Sequence, residues 1–137
     1  MKYYILYNPL AGHGKHDEKI NALKSHIDGE CVDMFITDID CYNNFMSKLQ
    51  PDDVIILSGG DGTLNRFINA VDTDNITNDI YYYASGSGND FLHDLGKRVP
   101  CPPFKINKYL KNLPTVIVNG KTYRFLNGIG YGMDGYA

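Results

Sequence analysis

The sequence contains no tryptophan, only three cysteines and four histidines, and no long apolar run. Cys31, Cys41 and Cys101 are odd in number and show no CxxC spacing, which argues against a disulfide scaffold and fits a reduced, cytoplasmic setting. His13, His16, His26 and His93 are not spaced to share a helix face, so a histidine metal site is not expected. No segment approaches the ~20 apolar residues that a membrane-spanning helix needs. The opening MKYYILYNPL ends in Asn-Pro without a small-residue cleavage site and reads as a strand, not a signal peptide. Low-complexity tracts are missing too. With 137 residues and 43% hydrophobic content, the chain is expected to fold around one main core.

The net charge of −3 hides an uneven distribution. Between Asp28 and Asp94 there are 13 acids against Lys48 and Arg66 alone. From Leu95 to Phe125 the order reverses, with Lys97, Arg98, Lys105, Lys108, Lys111, Lys121 and Arg124 and no acid. Such a stretch suits phosphate, an anionic membrane surface or another domain, or forms a solvated face. The acidic pI of about 5.7 and the lack of interleaved aromatics argue against a nucleic-acid partner.

Apolar runs alternate with helical patterns through the first 95 residues. Strands are expected at Tyr3–Tyr7, Cys31–Thr37, Asp53–Ser58 and Ile80–Ala84. Helices are expected over Asp17–Ile27, in a segment capped by Asp38 or Asp40 that runs to Pro51, over Thr63–Val71, and near Asn89–Leu95. Tyr42, Phe45 and the Tyr81–Tyr83 run belong to the core in this reading. The alternation implies an α/β fold with a parallel sheet and helices on both faces. Ligands of such sheets bind at the carboxyl ends of the strands. Beyond Gly96 come Pro100, Pro102 and Pro103, a short helix expected over Lys105–Leu113, and an Asn119-Gly120 hairpin turn. The glycine-rich ending GIGYGMDGYA looks cut, not finished, and an exposed hairpin edge would invite pairing with a second copy.

Three loops that follow strands carry the chemistry. Ser58-Gly59-Gly60-Asp61-Gly62-Thr63 joins an apolar strand to a helix, and its glycines let backbone N–H groups approach an anion. Asp61 places a carboxylate in the same loop. A bare phosphate would be repelled there, whereas a magnesium ion between the two, or a base role toward an acceptor hydroxyl, resolves the conflict. Ala84-Ser85-Gly86-Ser87-Gly88-Asn89-Asp90-Phe91 follows the fourth strand, and Ser87 with the glycine amides suits phosphate or ribose. Asn8-Pro9-Leu10-Ala11-Gly12-His13-Gly14-Lys15 is glycine-containing but not a Walker A motif, because its first glycine is missing and His16 replaces Ser or Thr.

Together YNPLAGHGK, LSGGDGTLN, ASGSGNDF and FLNGIGYGMDG resemble, in order, the diacylglycerol-kinase catalytic family, which includes soluble bacterial lipid kinases and the sphingosine and ceramide kinases. The resemblance implies a nucleotide-binding domain of NAD-kinase and phosphofructokinase-like fold that transfers the ATP γ-phosphate to a lipid hydroxyl with Mg2+. It places nucleotide contacts on Asn8, Pro9, Leu10, Ala11 and Gly12, on Gly59, Gly60, Asp61, Gly62, Thr63, Leu64, Asn65 and Arg66, on Ser87, and on Thr37. Asp61 takes the catalytic role, linked to the metal or acting as base; which residues hold the metal is left open. Two positions depart from the family pattern: Arg66 replaces a common Glu, and His93 a frequent Arg.

The resemblance further implies an ATP-binding domain at residues 1–114, with residues 115–137 as the opening strands of a second, β-rich domain that brings the lipid. Residues 1–137 alone are then expected to bind ATP without transferring phosphate, in a cytoplasmic protein that touches the membrane transiently. Two alternatives compete: a kinase for a soluble acceptor such as NAD, and a nucleotide-binding module without catalysis.

Overall fold

The computed structural model describes residues 2–7, 16–84, 90–97, 102–111 and 113–125. Four strands form near where the apolar runs place them: β1 (Lys2–Tyr7), β2 (Glu30–Phe35), β3 (Val54–Gly59) and β4 (Asp79–Ala84). They pair in parallel in the order β2-β1-β3-β4, and β5 (Phe104–Lys105) adds antiparallel to β4. Alternating side chains send each strand's apolar residues to both faces. Ile5, Val54 and Ile56 meet Ile20 and Leu23 of α1 (His16–Lys24) on one face. Leu6, Ile55, Leu57, Ile80 and Tyr82 cover the other. There they pack against α2 (Tyr42–Ser47), α3 (Asp61–Ala70) and α4 (Asp90–Asp94). The mixed α/β class, with helices on both faces of a mostly parallel sheet, follows from that double coverage.

Two local expectations are corrected. The strand before α2 stops at Phe35, and Ile36–Asp38 form a 3-10 turn, so neither Asp38 nor Asp40 caps the helix. Ile36 is buried, and its carbonyl accepts a hydrogen bond from the Tyr42 hydroxyl at 3.2 Å, which draws the chain into a turn before the helix begins. Cys41 stands at the N-cap position without a side-chain cap. The helix expected over Lys105–Leu113 is instead β5 followed by a 3-10 turn at Asn107–Tyr109. Ile106 and Leu110 are both fully buried, and a single tight turn satisfies that spacing. The Asn107 side chain then acts as an extra strand residue beside β4. Its Oδ1 accepts from the Ile80 N–H at 2.7 Å, and its Nδ2 donates to the Asn78 carbonyl at 2.9 Å.

The amino edge of the sheet is fastened by Asp53, which is 4% exposed. Its carboxylate accepts from the Lys2 N–H at 3.0 Å and the Gln50 N–H at 2.8 Å, while Asn78 Nδ2 donates to the Asp53 carbonyl at 2.9 Å. Removing the carboxylate leaves two backbone donors unpaired near the core. Asp53→Ala is expected to lower unfolding free energy by about 2–3 kcal/mol. Urea denaturation checks this, and Asp53→Asn, which keeps one acceptor oxygen, should lose less.

Strands β6 (Thr115–Val118) and β7 (Lys121–Arg124) form the hairpin announced by Asn119-Gly120. Both turn residues have positive φ, 51° and 79°, as a type I′ turn requires. The hairpin is a separate two-stranded sheet that reaches the rest of the molecule through α3. Asn69 pairs with the Arg124 backbone through both amide atoms, at 3.0 and 2.7 Å. Arg124 Nη1 donates to the carbonyls of Ile68 and Val71 at 3.0 and 2.6 Å, putting a positive charge on the carbonyl end of the helix.

Candidate functional site

The strand order reverses between β1 and β3: the chain runs outward to β2 on one side and to β4 on the other. A crevice at the carboxyl ends of β1 and β3 is where open α/β sheets receive ligands. Tyr7, the last residue of β1, is in register with Ser58, so β1 ends beside the start of the Gly59–Gly62 loop. β4 ends at Ala84, in register with Gly59. Asn8, Pro9, Leu10, Ala11, Gly12 and Ser87 themselves lie outside the described residues.

The loop after β3 is shaped by a close approach. A Cβ on Gly59 would lie 3.0 Å from Thr63 Cβ and collide with Thr63 Oγ1, so only glycine lets the strand end press against the first turn of α3. Gly62 has no heavy atom within 4 Å of its would-be Cβ, so packing in the described structure does not require glycine there. Thr63 and Leu64 are buried and support the loop from beneath; Asn65 is half-buried and Arg66 exposed. The carbonyl of Gly60 accepts from the N–H groups of Thr63 and Leu64 at 3.1 and 3.3 Å. The earlier amides belong to the helix N-terminus, which favours an anion.

Asp61 opens α3, two residues earlier than the sequence reading starts the helix. Its Oδ1 accepts from the Phe91 N–H at 3.3 Å, in the first turn of α4. The GGDG loop is thereby tied to the residue that ends the GSGNDF segment. From the other side, Tyr82 donates its hydroxyl proton to the Gly59 carbonyl at 3.2 Å. Burial, and then the negative charge of Asp61, hold the Tyr82 phenol above its usual range, so it remains a proton donor at physiological pH.

Thr37 and Arg66 are both exposed. Thr37 sits in the 3-10 turn after β2, an edge strand two places from β3. Arg66 projects its charge toward the Tyr42 phenol, where it opposes the upward shift caused by burial. Burial also raises the Cys31 thiol, which keeps it protonated and a poor nucleophile. Much of the basic stretch is engaged locally. Lys105 pairs with Asp79 at 3.0 Å, Lys97 and Lys108 lie over the rings of Phe104 and Tyr109, and Lys111 Nζ donates to the carbonyls of Thr73, Asp74 and Ile76.

Among the described residues no three acidic, histidine or cysteine side chains gather as a metal cage. A phosphate-borne magnesium ion takes one or two protein carboxylates and fills its remaining positions with phosphate oxygens and water. Asp61 at a helix N-terminus fits that role.

A family model described as the diacylglycerol kinase catalytic domain matches residues 2–122. The chain belongs to that family. The match spans both glycine loops and reaches into the hairpin, so this diacylglycerol kinase family domain is a kinase domain of NAD-kinase-like fold. Kinase membership implies ATP as donor and an acceptor substrate. A comparison with curated proteins gave no match. Among the described residues no helix is long and apolar enough to cross a membrane.

Sequence reasoning found the loops of this kinase domain but missed Tyr82 and the Phe91 N–H. One signal was present: a tyrosine inside a buried strand must find a partner for its hydroxyl.

Proposed function

We propose that this chain is the nucleotide-binding half of a Mg-ATP-dependent lipid kinase. The observation that carries the reading is the Asp61–Phe91 bond, which ties the Gly59–Gly62 loop to the first turn of α4, the helix that follows the second glycine segment in sequence. The amides at the start of α3 hold phosphate oxygens, and the N-terminal end of the helix dipole favours their charge. Asp61 holds magnesium against them or takes the proton of the acceptor hydroxyl. Bound Mg-ATP supplies the transferable γ-phosphoryl group and the neutralising cation; the protein supplies position and electrostatics.

Residues 1–114 form the ATP-binding domain in this reading, and residues 115–137 open a second domain that delivers the lipid. GSGNDF and the FLN segment support a lipid acceptor over NAD, because they resemble the lipid branch of the family. The setting is cytoplasmic with transient contact at the membrane surface. Family membership is the main support for this part, together with the hairpin's separate sheet.

Calorimetric titration of Mg-ATP into the chain tests the nucleotide site. Saturable binding near one-to-one is expected. A folded chain that takes up no nucleotide would overturn the assignment of these loops. Phosphate transfer from labelled ATP, with the second half supplied, should favour diacylglycerol in micelles over NAD.

A further inference from the structure

Tyr82 is fully buried on β4, and its ring packs edge-on against Phe91 and Phe104 at centroid distances of 6.1 and 6.0 Å. A phenylalanine would make the same ring contacts, so packing does not explain the hydroxyl. That hydroxyl spends its proton on the Gly59 carbonyl, the last carbonyl of β3 before the loop. In a trans peptide the carbonyl and the following N–H point in opposite directions. Fixing the Gly59 carbonyl toward Tyr82, on the β4 side and into the core, therefore turns the Gly60 N–H away from β4. That direction is the β1 side of β3, where the strand order reverses.

We infer that Tyr82 is a positioning residue for phosphate binding: its hydroxyl locks the Gly59–Gly60 peptide so that the Gly60 N–H faces the crevice. The inference rests on the reading of this loop as the phosphate cradle. Gly59 closes the β3–β4 register opposite Ala84, and the Tyr82 hydroxyl adds a second hold on its carbonyl. Gly60 offers no Cβ to restrain the peptide, and a rotated peptide would present a carbonyl oxygen to a phosphate where a donor is needed. The lock acts from inside the core, out of reach of solvent and ligand. It costs no reorganisation when an anion arrives. The same phenol lies close enough to feel the Asp61 charge, so the lock and the Asp61–Phe91 tie brace the loop from two adjoining points.

Tyr82→Phe keeps the ring and deletes the lock. Mg-ATP affinity, measured by calorimetry, is expected to fall at least fivefold while the melting temperature moves by only a few degrees. Selective 15N labelling of glycine follows the Gly60 amide without nucleotide, and its resonance should shift in Tyr82→Phe but not in a Tyr81→Phe control. An unmoved Gly60 resonance overturns the inference, as does a moved resonance with unchanged affinity. If wild type itself binds no Mg-ATP, the nucleotide reading falls, and the Gly60 resonance still decides whether Tyr82 holds the peptide. A measurement free of substitutions guards against a variant that fails to fold. In wild type the Tyr82 hydroxyl proton should be protected from exchange and give its own resonance, and rapid exchange with water would also overturn the lock.

Discussion

Asp61→Asn is expected to weaken Mg-ATP binding tenfold or more while leaving the domain folded. Asparagine keeps an oxygen that can accept the Phe91 N–H, now at 3.3 Å, so the tie between α3 and α4 survives in weakened form. What disappears is the negative charge. Charge-assisted hydrogen bonds are roughly twice as strong as neutral ones, and a metal ion gains still more from a carboxylate than from an amide. In a chain able to transfer phosphate, turnover should fall by about 100-fold or more, the scale of losing one preorganised electrostatic partner. Asp61→Ala removes the acceptor as well, and it should additionally loosen α4, visible as faster amide exchange at Phe91. Calorimetry with Mg-ATP and a melting curve on each variant separate the two effects. Wild-type affinity and turnover in Asp61→Asn would remove Asp61 from the chemistry.

Gly59→Ala is expected to lose stability on the scale of Asp53→Ala. The added methyl would meet Thr63 Oγ1 and lie 3.0 Å from Thr63 Cβ, and neither β3 nor α3 is free to retreat. β3 is buried throughout and central in the sheet, and Leu64, Phe67 and Ile68 anchor α3 in the core. Overpacking of this kind costs about 1–3 kcal/mol, before any strain in the loop itself. Thr63→Ala removes the obstructing oxygen and methyl. The double variant Gly59→Ala/Thr63→Ala should therefore be more stable than the sum of the single losses predicts, with a coupling of about 1 kcal/mol or more. Urea denaturation of the four proteins closes the cycle. Strict additivity would show that the cost of Gly59→Ala lies elsewhere. Gly62→Ala, placed in open space, should leave the folding midpoint near wild type.

The parallel core was legible because its signals are local. Runs such as DVIILS are apolar over the length of a strand, and those of β1 and β3 meet Asn8-Pro9 and Gly59-Gly60. The Asn119-Gly120 turn was legible for the same reason, since two positive φ values leave few residue choices. β5 was not. Two residues are too short to show alternation, and the Ile106–Leu110 spacing matches a helix as well as the tight turn that forms. The role of Asn107 was hidden too, because side-chain pairing with Asn78 and Ile80 is a fact of tertiary contact. The local pairing of the basic stretch was not legible in composition either. Five of its lysines and arginines have partners within the chain itself, including three carbonyls around the Lys111 ammonium and two at Arg124. In the site, glycine spacing revealed the loop after β3. Its supports, Tyr82 from the core and the Phe91 amide from α4, come from elsewhere in the chain and carry no spacing signal.

α3 is one ten-residue helix, about 15 Å long, with the glycine loop at one end and the Asn69–Arg124 clamp at the other. It works as a strut. Its backbone hydrogen bonds run without interruption from the glycine loop to the hairpin contact. Thermodynamic reciprocity then makes the traffic two-way: a nucleotide that steadies the loop must tighten hairpin docking by the same factor that docking tightens the nucleotide. If the glycine loop holds phosphate as proposed, any coupling between it and the hairpin has to span this one helix, about 15 Å.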